Sequence, residues 1–238
     1  MFTIIDEEKH MKKLLVLLLM SFIFVVQTFA ADFIISPTIG YNNVSVAGTI
    51  TSNLGNKSSH DAFLVGLTLG TVTEKGFTFY WDNTFALNPS IRYKLIDPTS
   101  NIKASSIGCM WRTEFLFGGT LKFYNDTLQV GIAVGAGAGV GGGILTKVNK
   151  DGVTNRVNRN DIAKYGGWFA GPSIHANVDY FFLDWLGITL SMTNSFNAGA
   201  SSASYNKQEG GISNLVFSED VGYFSNNFSL LIGPKFKF

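Results

Sequence analysis

The last eleven residues of the chain, Phe228 to Phe238, alternate between apolar side chains and side chains that are mostly polar or small. The apolar phase holds every second position, namely Phe228, Leu230, Ile232, Pro234, Phe236 and Phe238. A period of two residues predicts a β-strand with one apolar face. A strand that ends the chain on an aromatic residue has few reasons to exist in a soluble fold. The last strand of a soluble β-sandwich is the alternative.

The other end of the chain predicts export. Lys12 and Lys13 precede an apolar run from Leu14 to Val26, and small residues occupy Thr28 and Ala30. This order is typical of a secretory signal peptide, which we expect to be cleaved after Ala30. The run is shorter than the about 20 residues that a spanning helix needs, and an uncleaved anchor is the alternative. The signal begins naturally at Met11, so we predict a signal region over 1–30 and one mature domain over 31–238.

Composition agrees with a domain whose outer surface faces lipid. The chain is 46% apolar but only 15% charged, whereas soluble domains carry about 25% charged residues. After the signal, no segment reaches the about 18 consecutive apolar residues that indicate a helical span. The single cysteine, Cys109, excludes an internal disulfide.

Eight alternating segments follow one another in the mature region. Their predicted bounds are 33–46, 61–73, 77–87, 105–124, 127–144, 167–180, 184–197 and 228–238. Across the two-residue turn Asn125–Asp126 the apolar phase moves from odd to even numbers, as the parity of that turn requires. We predict tight turns at 74–76, 125–126 and 181–183, and long polar connections at 47–60, 88–104, 146–166 and 198–226.

The alternation of long and short connections is the pattern of bacterial outer-membrane barrels. Together with the terminal phenylalanine, it makes the chain resemble the small eight-stranded barrels of the OmpX, OmpA-barrel and OmpW kind. The resemblance implies an all-β fold: an eight-stranded antiparallel up-and-down transmembrane β-barrel in the bacterial outer membrane, with extracellular long loops and periplasmic termini. It also implies two partners, outer-membrane lipid and the barrel-assembly machinery, the latter through an insertion signal at Leu230, Ile232, Phe236 and Phe238.

Three prolines lie inside predicted strands, where a proline cannot donate to the ladder. Pro37 and Pro234 lie near the two strands that must pair to close the barrel. We therefore expect these two to share one irregular spot at the seam. Pro172 is expected to mark a β-bulge.

Inward-facing positions of the predicted strands include five ionisable residues, Asp82, Arg112, Glu114, His175 and Asp179. Because an eight-stranded barrel is just wide enough for side chains to fill it, we expect these residues to form an ion-paired plug. A polar channel is the alternative. A connection centred near Asp97 predicts that Asp82 pairs with Arg112, and the turn at 125–126 places Arg112 beside Gly139.

The long connections are rich in basic residues. These are Arg92, Lys94, Lys103, Lys147, Lys150, Arg156, Arg159 and Lys164. On an extracellular rim they favour contact with an anionic glycolipid or an acidic host surface. An ordinary solvated loop is the alternative.

Nothing in the sequence assembles a catalytic motif. Serine and histidine meet at Ser58–Asp61 and at Ser173–His175, as they do in lipid-modifying barrel enzymes, but no companion motif accompanies either. Cysteine and histidine show no zinc-ligand spacing, so no metal site or other cofactor is predicted. The glycine run Gly135–Gly141 lies in an alternating strand with no helix after it, which argues against nucleotide binding.

The sequence therefore predicts a monomeric, non-enzymatic outer-membrane barrel with a structural or surface-interaction role and no nucleic-acid partner. A narrow transporter of small hydrophobic compounds is the alternative. A barrel enzyme that modifies membrane lipid is the third hypothesis.

Overall fold

The computed structural model describes residues 31–49, 52–96, 101–150, 153–158, 161–209 and 212–238. The strands in these ranges are β1 (Ala31–Thr49), β2 (Ser52–Thr73), β3 (Phe77–Ile96), β4 (Asn101–Phe123), β5 (Leu128–Lys150), β6 (Val153–Arg156), β7 (Ile162–Leu183), β8 (Leu186–Glu209) and β9 (Ile212–Lys237). All except the short β6 form one antiparallel ring, which the pairing of β1 with β9 closes. The predicted all-β, eight-stranded barrel is confirmed. The predicted signal region lies outside the described residues.

Side chains alternate between the two faces of the barrel wall. Outward residues such as Phe63, Phe115 and Leu190 are 49–50% exposed. Inward residues are mostly polar and buried, as Thr84 and Asn177 illustrate. An apolar outer band around a polar interior is the architecture of the small outer-membrane barrels, so the predicted resemblance is confirmed at the level of fold. No helix among the described residues has the length and hydropathy to cross a membrane.

The stagger of the strands fixes the shape of the barrel. A path that starts at Leu231 on β9 and passes from each residue to its partner on the next strand goes once round the ring. It returns to β9 at Val221, ten residues before its starting point. With eight strands, this stagger corresponds to a strand tilt of about 40°. The interior of an eight-stranded barrel is just wide enough for side chains to fill it.

Two of the three predicted tight turns lie where expected. Gly76 adopts φ +83° in the 74–76 turn, and Asn125 and Asp126 adopt φ +56° and +65°. The third prediction is wrong, because β7 continues to Leu183 and the turn lies at 184–185. A register shift between Phe181 and Leu183 supplies the extra residue that the parity of the two strands requires.

The predicted long loops are also wrong, because the strands continue through most of them. β2 begins at Ser52, β3 reaches Ile96 and β8 reaches Glu209. At about 3.3 Å per residue, the 24 residues of β8 exceed by far the ~10 that a tilted strand needs to cross a bilayer. The change to polar residues therefore marks the end of the apolar outer band, whereas the strands themselves continue beyond it.

The prolines interrupt the ladder without breaking the strands. Between β1 and β9, the pair of strands that closes the ring, pairing stops at Ile35–Phe236 and resumes at Ile39–Ile232. Pro37 and Pro234 lie in this gap, so they share one irregular spot as predicted. The predicted bulge at Pro172 is wrong. Partners on β8 keep the same register on both sides of Pro172, and only the local pairing is missing. This is what a residue without an N–H does to a ladder.

Candidate functional site

Two ion pairs lie inside the barrel. Arg112 Nη2 is 2.5 Å from Glu114 Oε2, and Lys235 Nζ is 2.6 Å from Asp179 Oδ2. All four side chains are at most 3% exposed. Charges buried to this degree are tolerated when they are paired and hydrogen-bonded, as both pairs are. We call this set, together with the side chains that bind it, the plug.

The Asp179 half of the plug joins strands from opposite parts of the ring. The carboxylate on β7 accepts hydrogen bonds from Asn177 Nδ2 at 2.6 Å, Thr189 Oγ1 at 2.5 Å and Lys235 Nζ at 2.6 Å. The Lys235 ammonium on β9 also lies 5.2 Å from the ring centroid of Tyr80 on β3. Its contacts on β7 and β3 reach across the interior, so this cation helps to fill the lumen.

The Arg112 half of the plug is held by serines. Arg112 Nη1 donates to Ser195 Oγ at 3.4 Å, and Ser173 donates to the Glu114 carboxylate. Arg112 pairs with Gly139 and Glu114 with Gly137, the register that the 125–126 turn predicts. A Cβ on Gly137 would lie 2.4 Å from Glu114 Cγ, so glycine at this position makes room for the longer side chain.

Asp82 lies in the same layer but not opposite Arg112. It pairs with Glu114, while Arg112 pairs with Thr84, and its carboxylate accepts a hydrogen bond from Thr68 Oγ1 at 2.8 Å. The predicted pairing of Asp82 with Arg112 is therefore wrong by two residues. At Asp82 the β3–β4 ladder is displaced by two residues from the predicted register, and it contains a register shift between Asn88 and Ile91 that the sequence does not indicate.

His175 is buried in the plug and is hydrogen-bonded to a threonine instead of to the neighbouring serine. Its Nδ1 lies 2.9 Å from Thr193 Oγ1, and its ring lies 5.6 Å from that of Tyr80. Ser173, two residues away, donates to Glu114 and not to His175. Ser58, Ser59 and His60 belong to β2, but their side chains lie outside the described residues.

Lys235 is a plug residue that the predicted set of lumen charges does not include. The alternation of the last strand places it on the polar face, and this pattern is the signal that indicates an inward cation. Its partner Asp179 is also predicted to face inward, but the same alternation applies to Lys237, so the choice of partner depends on the closed ring.

The C-terminal strand supplies the residues of the predicted insertion signal. Leu230, Ile232 and Phe238 are exposed on the outer face, and Phe236 stacks with Trp185 at 6.4 Å. Phe238 exchanges two backbone hydrogen bonds with Phe33 of β1, at 2.9 and 3.0 Å. The last residue thus belongs to the seam that closes the ring.

The predicted basic loop residues lie in strands. Their places are β3 for Arg92 and Lys94, β4 for Lys103, β5 for Lys147 and Lys150, β6 for Arg156 and β7 for Lys164. Arg159 lies outside the described residues. Lys147, Arg156 and Lys164 are exposed. The structure therefore places the seven described basic residues in strand segments beyond the apolar band.

One carboxylate outside the membrane-spanning segments fixes the start of β7. Asp161 accepts hydrogen bonds from the backbone N–H groups of Gln208 at 3.0 Å and Asn158 at 2.8 Å, and from Tyr205 Oη at 3.2 Å. The two backbone donors lower the pKa of Asp161 below its usual value. Asp161, directly before β7, is thereby attached to β8.

The Arg112→Ala substitution is expected to couple more strongly to Glu114→Ala than to Asp82→Ala. The first pair is in direct contact, so we expect a coupling of about 1–3 kcal/mol. Asp82, an equally buried carboxylate bound to Thr68, is the matched control and should give a smaller value. The free energies of unfolding of the detergent-solubilised single and double variants give both coupling energies, Arg112 with Glu114 and Arg112 with Asp82. An Asp82 coupling as large as that of Glu114 would contradict the observed register.

Comparison with known proteins gives a family and a set of similar folds. The model of the family described as "Domain of unknown function (DUF2715)" matches residues 29–238. No match is found among curated proteins. The outer membrane protein OprG from Pseudomonas aeruginosa is similar in structure, with 12% identity and a TM-score of 0.48, over 88% of this chain and 97% of that one.

Two further solved structures are similar at comparable levels. The outer membrane protease OmpT from Escherichia coli has 13% identity and a TM-score of 0.44, over 87% of this chain and 96% of that one. Ail, the attachment invasion locus protein of Yersinia pestis, has 11% identity and a TM-score of 0.39, over 85% of this chain and 98% of that one.

Proposed function

The chain belongs to the DUF2715 family, and from the geometry of its barrel we propose that it is a non-enzymatic outer-membrane protein whose lumen is closed. The observation that carries the proposal is the plug, with Arg112–Glu114 and Lys235–Asp179 both buried to 3% exposure or less. Immobile, mutually neutralised charges in a narrow barrel obstruct ions instead of conducting them. The role is structural or interactive at the cell surface.

The proposed orientation follows from the unequal ends of the barrel. The turns at 74–76, 125–126 and 184–185 lie at the same end as both ends of the barrel domain, and we place that end in the periplasm. The opposite end carries the long strand extensions and the exposed basic residues, which we place outside the cell. The protein is proposed to be a monomer that the barrel-assembly machinery inserts through β9.

Reconstitution into liposomes tests the closed lumen. Because the plug occupies the interior, liposomes that contain the barrel are expected to swell in small sugars no faster than protein-free liposomes. Heat-modifiable migration on gels confirms that the barrel has inserted, and a general porin serves as the positive control. Fast swelling by inserted protein would contradict a closed lumen.

A second candidate function, passage of small hydrophobic compounds, is favoured by one specific observation. Ala62, Leu64, Ala86 and Leu231 form a buried apolar cluster inside the barrel, against which Met110 packs. Pairing between β2 and β3 ends at Phe63–Leu87, beside this cluster. Beyond that pair, in the described residues, β2 stays paired with β1 and β3 stays paired with β4, so β2 and β3 separate next to the cluster. Faster entry of an apolar dye into barrel-containing liposomes, without sugar uptake, would support this function.

A further inference from the structure

We propose that three exposed cations on the outer wall, Lys147, Arg156 and Lys164, form a site for the phosphate of an anionic membrane lipid. We call these three residues the basic patch. The proposal rests on the membrane location proposed above and names the lipid chemistry that this location would meet.

Backbone pairing brings the basic patch together along one edge of β5. Lys147 on β5 lies directly opposite Arg156 on β6, and Ile144, three residues earlier, lies opposite Lys164 on β7. Three residues of strand span about 10 Å, so Arg156 and Lys164 are near neighbours. The β5–β6 hairpin is held by hydrogen bonds from Asn149 Nδ2 to Thr154 Oγ1 at 2.8 Å and from Val157 N to Thr146 O at 3.2 Å.

The charges of the basic patch are not balanced within the described part of the protein. Like charges directly opposite each other on paired strands are unfavourable, and Lys147 and Arg156 are such a pair. Among the described residues, no carboxylate forms a salt bridge with any of the three cations. Asp161, close to Lys164 in sequence, accepts its hydrogen bonds from Asn158, Gln208 and Tyr205. An external anion would remove the repulsion.

The position of the basic patch favours a lipid as the source of that anion. Ile144, which is 60% exposed, lies beside Lys164 on the outer face, and Trp168, which is 56% exposed, lies four residues further along β7 towards the middle of the barrel. Tryptophan is enriched at the boundary between the hydrocarbon core and the headgroups, so Trp168 marks the level at which headgroups begin. Lys164 lies about 13 Å above Trp168 along β7, and its side chain also faces outward. A phosphate there would accept charge-assisted hydrogen bonds from Arg156 and the two lysines.

Lipid-specific quenching of tryptophan fluorescence tests the proposal in vesicles of phosphatidylcholine. One variant keeps only Trp168, through Trp81→Phe, Trp111→Phe and Trp185→Phe, and a second keeps only Trp185 at the opposite end. Brominated phosphatidylglycerol is expected to quench Trp168 at least about fivefold more effectively than brominated phosphatidylcholine, since each cation near a headgroup contributes roughly that factor. Trp185 should show no such preference.

Charge variants assign the preference to the patch. In the Trp168 background, Lys147→Gln with Arg156→Gln and Lys164→Gln should abolish the preference, whereas Lys75→Gln, in the exposed 74–76 turn, should leave it unchanged. Native mass spectrometry of lipids retained by the otherwise unchanged barrel gives the same comparison without tryptophan substitutions. Equal quenching by both lipids, equal retention of both lipids, or loss of preference through Lys75→Gln would overturn the proposal. Failure of the barrel to enter phosphatidylcholine vesicles would instead overturn the proposed membrane function.

Discussion

Removal of Phe238 is expected to stop barrel assembly while leaving export across the inner membrane intact. The residue exchanges two backbone hydrogen bonds with Phe33 across the seam that closes the ring, and it ends the strand that we propose as the insertion signal. Without it, the first and last strands lose the end of their ladder, and an unclosed barrel leaves strand edges unpaired in lipid. Fractionation combined with heat-modifiable migration of the folded form measures the outcome.

Two control variants separate the terminal signal from a general loss of apolar surface. Phe238→Tyr keeps the aromatic ring and both backbone hydrogen bonds, so we expect it to assemble. Phe182→Ala removes an outward phenylalanine that is 56% exposed, compared with 70% for Phe238, and it should also assemble. If the protein without Phe238 still reaches the outer membrane in folded form, the role that we give to the last residue is wrong.

Replacement of Lys235 by methionine is expected to destabilise the folded barrel by about 3–5 kcal/mol, the usual cost of removing one partner from a buried ion pair. Methionine keeps most of the volume of the side chain but leaves the Asp179 carboxylate buried without its cation. The remaining hydrogen bonds to the Asp179 carboxylate come from the neutral side chains of Asn177 and Thr189. Urea unfolding in detergent or in vesicles gives the free energy of unfolding.

The double variant Lys235→Met with Asp179→Asn provides the internal check. Because it removes both charges, we expect it to lose less stability than the sum of the two single variants. Lys237→Met is the matched control, since Lys237 lies two residues further along β9 and its Nζ is 3.9 Å from Asp32 in a more exposed pair. Strict additivity of Lys235 and Asp179 would show that the two side chains do not interact.

Local sequence signals predicted the parts of this fold that depend on parity. The phase change across Asn125–Asp126 gave the β4–β5 register, including the glycines beside Arg112 and Glu114, because a two-residue turn admits one pairing. The opposite positions of Pro37 and Pro234 followed from their places in the first and last strands. The first of these predictions needs only a short-range rule, whereas the second also assumes that the first and last strands pair.

The incorrect predictions concern features that depend on distant contacts. The register of Asp82 required the centre of a long hairpin, which a shift between Asn88 and Ile91 displaces. The extensions of β2 over 52–60 and of β8 over 198–209 contain few large apolar residues, and a hydrophobic period cannot detect such strands. The pair Lys235–Asp179, which was not predicted from the sequence, joins residues 56 positions apart, and the ring must close before they meet.

Planar-bilayer recording tests most directly whether buried ion pairs close the lumen. Purified protein is expected to show no stable channel of porin size, whereas a variant with Arg112→Ala and Lys235→Ala should leak, because it removes both plug cations and the volume that they fill. A barrel with Lys75→Ala, in the exposed turn, should remain as tight as the unchanged protein. Large, steady conductance from the unchanged protein would contradict the plug and support an open channel.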